Sequence, residues 1–314
     1  MTASSEIVGV IAGVALVLLA ATVVGRTLAF WPGPQESNAT VANLNARLDA
    51  WWMMLALIAL AFAFGRRGVI VLFAILSFAA LREFMTLTRL GAEDRWALIV
   101  AFFVAVPLQY CLVWIGWYGL YAILIPVYAF VLMPILATLR GQPKAFLDRV
   151  AHAQWGVMLT VYCVSHVPAL ATLQIAGYEG REILLIAYFL LVVQSSDVFQ
   201  YVWGKLFGKT PIAPTLSPSK TLEGTLLGVA SAVALGTTLW WITPFTPWQA
   251  GMVSLATTAM GFLGGLVLSA IKRDRGVKHW GWMIRGHGGV LDRLDSVAFS
   301  APVFFHITRY WWAN

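Results

Sequence analysis

Residues able to do chemistry together gather in two stretches of this chain. The first, residues 194–224, contains Gln194-Ser195-Ser196-Asp197, Gly204-Lys205-Leu206-Phe207-Gly208-Lys209 and Ser217-Pro218-Ser219-Lys220-Thr221-Leu222-Glu223-Gly224. Asp197 lies inside an apolar run, where an ionisable group costs at least ~2.5 kcal/mol unless it has a partner, a cation or water. It reads either as a packing Asp held by a nearby hydroxyl or as a cation ligand or substrate-site group. Ser217-Pro218 has the form of a helix start, with Ser as N-cap and Pro at the first helical position. Free N–H groups there, with Lys220 and Thr221 in the first turn, would form a phosphate site. The alternative is a solvated basic loop against anionic lipid. The GxxxxGK[ST] spacing of a Walker A loop is absent.

The second stretch, residues 269–296, begins Ser269-Ala270-Ile271-Lys272-Arg273 and ends His287-Gly288-Gly289-Val290-Leu291-Asp292-Arg293-Leu294-Asp295-Ser296. On a helix, Ser269, Lys272 and Arg273 share one face. Gly286, Gly288 and Gly289 surround His287, which suits a backbone turn that approaches a ligand closely. Asp292 and Asp295 are spaced i, i+3, so their carboxylates would point the same way from a helix N-terminus. Two such carboxylates repel unless a cation or basic group sits between them. A hard divalent cation, its shell completed by phosphate oxygens, is the natural occupant; a salt-bridged cap with Arg293 is the alternative. Bases for phosphates, paired acids for a metal and a glycine-lined turn form a kit for phosphoryl or nucleotidyl transfer.

The elements that position these residues are membrane helices. Of 314 residues, 60% are hydrophobic and 11% charged, and the net charge is +7; mean hydropathy is +0.79. A soluble globule needs more charge to cover its surface, so a cytosolic enzyme, a disordered chain and a soluble nucleic-acid binder are excluded. The spacing predicts an all-α, polytopic transmembrane bundle with ten apolar segments at 7–24, 50–64, 68–81, 96–114, 118–139, 155–173, 183–203, 225–243, 248–268 and 297–311. The second and third are short and meet at Gly65-Arg66-Arg67-Gly68, so they read as two tilted spans or a re-entrant pair, giving nine or ten spans. Glu6 and no Lys or Arg precedes the first, which reads as a retained helix rather than a signal peptide. With ten crossings, 17 of the 21 basic residues fall on one side and Arg66, Arg67, Arg181 and Arg309 on the other. The richer side, which carries both polar stretches, is expected to be cytoplasmic, with both termini outside. The Arg66-Arg67 pair is the one feature that argues against this count. Cys111 and Cys163 lie in apolar runs without disulfide or zinc spacing. Asn38-Ala39-Thr40 matches a glycosylation sequon without other support. His166 reads as a structural intramembrane histidine. The expected division is an N-terminal group of helices, 1–173, and a C-terminal catalytic region, 174–314.

At these residues the chain resembles the phosphatidate cytidylyltransferase (CDP-diacylglycerol synthase) family. That family's signature runs Ser-x-x-Lys-Arg, four residues, Lys-Asp, then His-Gly-Gly-x-x-Asp-Arg-x-Asp. It appears here as Ser269-x-x-Lys272-Arg273, Lys278-His279 and His287-Gly288-Gly289-x-x-Asp292-Arg293-x-Asp295. Upstream, Ser196-Asp197, Gly204 to Lys209 and Ser217 to Gly224 match further familial elements. The match covers roughly residues 194–300; the N-terminal half shares only hydropathy. Two positions depart: His279 follows the signature lysine where an acid is usual, and Gly265 stands where the family tends to carry an Asp. Gly261 and Gly265 form a GxxxG helix-packing pattern instead, which allows a homodimer contact.

The resemblance implies that CTP and phosphatidate give CDP-diacylglycerol and pyrophosphate, a step of phospholipid biosynthesis at a bacterial inner membrane. It implies Mg²⁺ on Asp292 and Asp295, with Asp197 as a further metal carboxylate; a second cation is the alternative stoichiometry. Lys272, Asp292, Asp295 and Asp197 would be the reacting-site residues. Ser217, Lys220, Thr221, Glu223, Ser269, Arg273, Lys278 and Arg293 would hold substrate, and His287 the turn or the nucleotide. Three rivals compete. A Ser-Lys acylase built on Ser217-x-x-Lys220 or Ser269-x-x-Lys272 lacks its companion motifs. A transporter using Asp197 as its ion site lacks a convincing internal repeat. A paralogue acting on a different lipid phosphate keeps the chemistry and changes the acceptor.

Overall fold

The computed structural model describes residues 3–30, 35–87, 94–139, 143–283 and 288–313. Its long helices are α1 Ala3–Ala29, α2 Gln35–Ala63, α3 Gly65–Thr86, α4 Arg95–Ile115, α5 Tyr118–Thr138 and α6 Phe146–Thr172. They continue as α7 Glu182–Phe207, α8 Leu222–Thr238, α9 Pro247–Asp274 and α10 Leu291–Trp312. A small antiparallel hairpin, β1 Pro211–Ala213 and β2 Ser217–Thr221, joins α7 to α8, with Pro211 opposite Thr221 and Ala213 opposite Ser217. The all-α polytopic bundle predicted from hydropathy is therefore present, with one hairpin added.

Eight of these helices, α1 to α7 and α9, are long and apolar enough to cross a bilayer. Helix α8 is apolar but has 17 residues, about 26 Å at 1.5 Å per residue. Helix α10 has 22 residues and is less apolar, with Asp292, Arg293 and Asp295 in its first turns and His306 and Arg309 toward its end. The doubtful second and third segments are two full helices of 29 and 22 residues. They break at Gly65, whose φ of +60° suits glycine.

Tertiary contacts fix which loops share an end of the bundle. Glu6 of α1 pairs with Arg181, ahead of α7, at 2.9 Å. Arg181 also donates to the Trp241 carbonyl after α8, at 3.0 Å, and Ile175 pairs with Ala313 after α10. Both ends of the described chain thus meet at one end of the bundle, as an even number of crossings requires. Arg66 sits at the last carbonyls of α4, donating to Val113 at 3.0 Å and Trp114 at 2.7 Å. Arg67 lies over the Trp114 ring at 5.7 Å. A helix C-terminus carries partial negative charge, which accounts for a basic pair on the side otherwise poor in bases.

Helices α7 to α10 form the half that carries the polar stretches. Glycines let their backbones touch: a Cβ on Gly224 of α8 would fall 2.6 Å from the Cα of Gly204 in α7. The expected GxxxG pattern is consumed inside the chain. A Cβ on Gly261 would meet Ser300 Oγ of α10 at 2.8 Å, and one on Gly265 would meet Lys220 Nζ at 2.9 Å. These two glycines therefore present no face to a second copy. Beneath them the core is aromatic, with buried Phe189 of α7 against Phe304 of α10 at 5.1 Å between ring centroids.

Candidate active site

The turn that opens α10 is built around Asp292. Gly288 holds φ +83°, a conformation that L side chains rarely adopt, and a Cβ there would lie 2.6 Å from Asp292 Oδ2. The turn thereby folds onto the carboxylate. Asp292 Oδ2 accepts from the backbone N–H groups of Trp280 and Gly289, each at 2.9 Å. Its Oδ1 accepts from Lys272 Nζ of α9 at 2.8 Å. His279 Nδ1 stands 3.8 Å from Oδ2. The three hydrogen bonds, from Lys272 Nζ and the two amides, strengthen by acting on a charge.

A second carboxylate secures the same turn from the opposite half of the molecule. Glu83, near the C-terminal end of α3, is buried and accepts from Val290 N and Leu291 N, both at 2.9 Å. These amides open α10 and would otherwise lack partners, and negative charge is favoured at a helix N-terminus. A Cβ on Gly289 would collide with Glu83 Oε2, so a side chain there would displace the Glu83 carboxylate from the turn. Phe84 beside it stacks on buried Trp280 at 5.2 Å. Sequence reasoning missed Glu83, because it lies 207 residues from its partner in the half recognised by hydropathy alone. The one available signal was an acid at the end of an apolar segment.

The acid–base cluster lies about one turn further along α10. Asp197 of α7 accepts from Ser296 Oγ at 2.7 Å. Asp295 Oδ1 accepts from Ser296 N at 2.9 Å. The two carboxylates act on each other electrostatically. The positive charges of Lys220 and Arg293 reach both, and that of Lys272 reaches Asp295. Lys220 projects from β2, its Nζ 4.9 Å from the centre of the Phe262 ring and against Gly265. Burial pushes the Lys220 ammonium below its ordinary pKa and the charge of Lys272 adds to this, while Asp197 and Asp295 pull the other way.

The predicted site residues thus separate into groups. Asp197, Lys220, Lys272, Asp295 and Arg293 come together. The sequence expects a cation between Asp292 and Asp295; the group that serves both is Lys272. Arg273 Nε donates to the Leu216 carbonyl in the hairpin turn at 3.2 Å. Ser269 Oγ turns back to the Gly265 carbonyl at 2.7 Å, and Lys278 is exposed. His287 and the adjoining residues 284–286 lie outside the described residues.

The expected helix start at Ser217-Pro218 is not found. Residues 217–221 are strand β2, and α8 begins at Leu222 with Thr221 as N-cap, its Oγ1 accepting from Gly224 N at 3.2 Å. Pairing with β1 overrides the local Ser-Pro signal and moves the cap four residues on. Glu223 secures this hairpin: Oε2 accepts from Lys209 N and Thr210 N at 3.0 and 3.1 Å, and Oε1 from Thr210 Oγ1 at 2.8 Å. These donors, the Lys209 amide foremost, hold its pKa down at about 2.

A cation fits one part of this arrangement. Asp197, Asp295 and the Ser296 hydroxyl offer hard oxygen donors from two helices. Mg²⁺ commonly takes one or two carboxylates and completes its shell with water and substrate phosphates. Among the described residues no three His, Cys, Asp or Glu side chains converge into a cage, so water and substrate oxygens would complete the shell of a bound cation. Both oxygens of Asp292 are already taken by nitrogen donors.

Comparison with known proteins identifies the family. Residues 45–311 match the model of the cytidylyltransferase family. The "Uncharacterized protein YnbB" of Escherichia coli K12 is 35% identical over 297 residues, 93% of this chain and 95% of that protein. The "Phosphatidate cytidylyltransferase" of Synechocystis is 37% identical over 36% of this chain and 39% of that protein. The "Phosphatidate cytidylyltransferase 4, chloroplastic" of Arabidopsis thaliana is 31% identical over 62% of this chain and 54% of its own length. The chain is an integral membrane protein and a member of the cytidylyltransferase family.

Proposed function

We propose that this chain transfers the cytidylyl group of CTP to phosphatidate, forming CDP-diacylglycerol and releasing pyrophosphate. The observation that carries the reading is the Asp197–Asp295 pair set among Lys220, Lys272 and Arg293 at one end of a membrane bundle. A phosphate oxygen of the lipid attacks the α-phosphorus of CTP, and the bond from that phosphorus to the β-phosphate bridge breaks. The nucleophile is anionic at neutral pH, so no strong general base is needed. Lys220 and Lys272 hold phosphate oxygens and offset charge that would otherwise oppose the approach of two anions. Asp197 and Asp295 would hold Mg²⁺, which when bound neutralises charge on the triphosphate and its leaving group. Asp292 fixes the Lys272 ammonium and the turn that opens α10.

The excess of bases on the side carrying the cluster, 17 of 21 with ten crossings, supports a site facing the cytoplasm of a bacterial inner membrane. A second reading keeps CTP and changes the acceptor to another lipid phosphate. It is favoured by Gly265, whose missing side chain leaves room for the Lys220 ammonium beside the carboxylates. The deciding experiment incubates the purified full chain in detergent with Mg²⁺, CTP and a panel of lipid phosphates. Pyrophosphate release with phosphatidate is expected. Turnover with other lipid phosphates but not phosphatidate would select the second reading, and release with none of them would sink both.

A further inference from the structure

At the far end of α10 from the carboxylates, the protein has a cavity of about 500 Å³ open to the surface, lined by Tyr118, His306, Arg309, Tyr310 and Trp311 among others. From Asp295 to Arg309 the helix rises about 21 Å at 1.5 Å per residue, so the two sites lie at opposite ends of the bundle. The Arg309 guanidinium is half-buried and lies 3.7 Å from the centre of the Tyr118 ring. Among the described residues no acid and no hydrogen-bond acceptor is paired with it. Arg26, Arg149 and Arg181 each meet a carboxylate at 3.0 Å or less. A cation held in place by an aromatic face, lacking a counter-charge and lining a cavity can receive an anion there. The rim is amphiphilic, since Tyr310 and Trp311 are 79% and 69% exposed. Such rings belong at the level of lipid headgroups.

Behind the cavity two histidines stand close together, His306 Nδ1 3.5 Å from the Tyr118 hydroxyl and His166 Nδ1 2.8 Å from the Tyr162 carbonyl. His306 lies 5.2 Å from His166, ring centre to ring centre. His166 is fully buried, and its Nε2 has no hydrogen-bond partner among the described residues. Buried polar atoms in this state are uncommon and call for water or a polar ligand.

We propose that this cavity binds the headgroup of an anionic phospholipid, with the lipid phosphate on Arg309 and the glycerol region against Tyr310 and Trp311. The site is separate from the transfer centre and does not depend on the acceptor assigned to it.

The test measures binding of phosphatidylglycerol, phosphatidylcholine and inorganic phosphate to the full chain in detergent by native mass spectrometry. Arg309→Gln is expected to weaken phosphatidylglycerol binding about tenfold, the scale of hydrogen bonds to a charged group. Arg309→Lys should retain most of it, and Asp295→Asn all of it. Phosphatidylcholine binding should not depend on Arg309. If Arg309→Gln does not fold, the exposed-rim double variant Tyr310→Ala/Trp311→Ala carries the test, with a several-fold loss expected. Equal phosphatidylglycerol affinity in the wild type and the variant that folds overturns the site. Arg309-dependent binding of inorganic phosphate as tight as that of the lipid overturns the lipid assignment.

Discussion

Two neighbouring parts of the first turns of α10 treat their carboxylates in opposite ways. Around Asp292 three nitrogen donors lie within 2.9 Å, and the side chain is 4% exposed. Around Asp295 the corresponding bond is to the N–H of its own neighbour, Ser296, and a second carboxylate faces it from α7. The first region is a completed network, which gains its stability from bonds already made. The second holds like charges together with bases nearby, a state that costs free energy until something positive arrives. Separating the two duties lets one region keep the turn rigid while the other remains available to a ligand.

The largest effect should come from the open region. Asp295→Asn is expected to cut turnover about a thousandfold, the upper range for losing one preorganised charge contact. Its thermal stability should hold or rise, because repulsion against Asp197 is relieved. Asp292→Asn should behave differently. It leaves the Lys272 ammonium, 12% exposed, without its carboxylate, a loss of about 3 kcal/mol or more for a buried pair. Parallel melting curves and CTP turnover rates check the pair of variants. A large stability loss in Asp295→Asn with none in Asp292→Asn would reverse the assignment of the two regions.

Glu83 sharpens the same contrast from a distance. Glu83→Gln keeps the shape but presents an N–H₂ group where a backbone N–H needs an acceptor. The expected cost is about 2 kcal/mol, the penalty of leaving a buried donor unsatisfied. Turnover should fall by roughly tenfold, through the displaced turn, with the CTP KM close to that of the wild type. A variant with wild-type melting and wild-type turnover would remove Glu83 from the network.

The uneven legibility of these residues has physical causes. Helix count and architecture follow from apolar run lengths, since a bilayer admits little else. The C-terminal cluster was visible because its residues stand at fixed spacings within two short stretches. Three features were not visible. Glu83 joins a turn more than two hundred residues away, and no local pattern encodes that pairing. The partition of Asp292 from Asp295 depends on which side chain Lys272 reaches across from α9. The Ser217-Pro218 motif carries a true helix-start signal, but strand pairing with Pro211–Ala213 overrides it. Local chemistry was readable; the choice among partners belongs to tertiary contacts.

The smallest predicted effect concerns Glu223, which ties the end of α7 to the start of α8. Its ordinary pKa of 4.5 falls to about 2 in the folded chain, chiefly through the Lys209 amide, then through its own amide and Thr210. A depressed carboxylate pKa means that the folded state favours the ionised form. Its contribution is fully present above about pH 4.5 and is lost as pH falls through 4.5 toward 2. The hairpin at 211–221 should therefore open to protease more readily at pH 3 than at pH 6 in the wild type. In Glu223→Gln this dependence should be reduced, and cleavage at pH 6 should already be faster than in the wild type. Limited proteolysis in detergent with a protease active across both values, read by mass spectrometry of fragments cut between 208 and 222, measures the difference. Identical pH profiles in the two proteins would show that the Glu223 carboxylate does not hold the hairpin. The lysine that β2 delivers to the acid pair would then be positioned by strand pairing and the Arg273 contact to Leu216 alone.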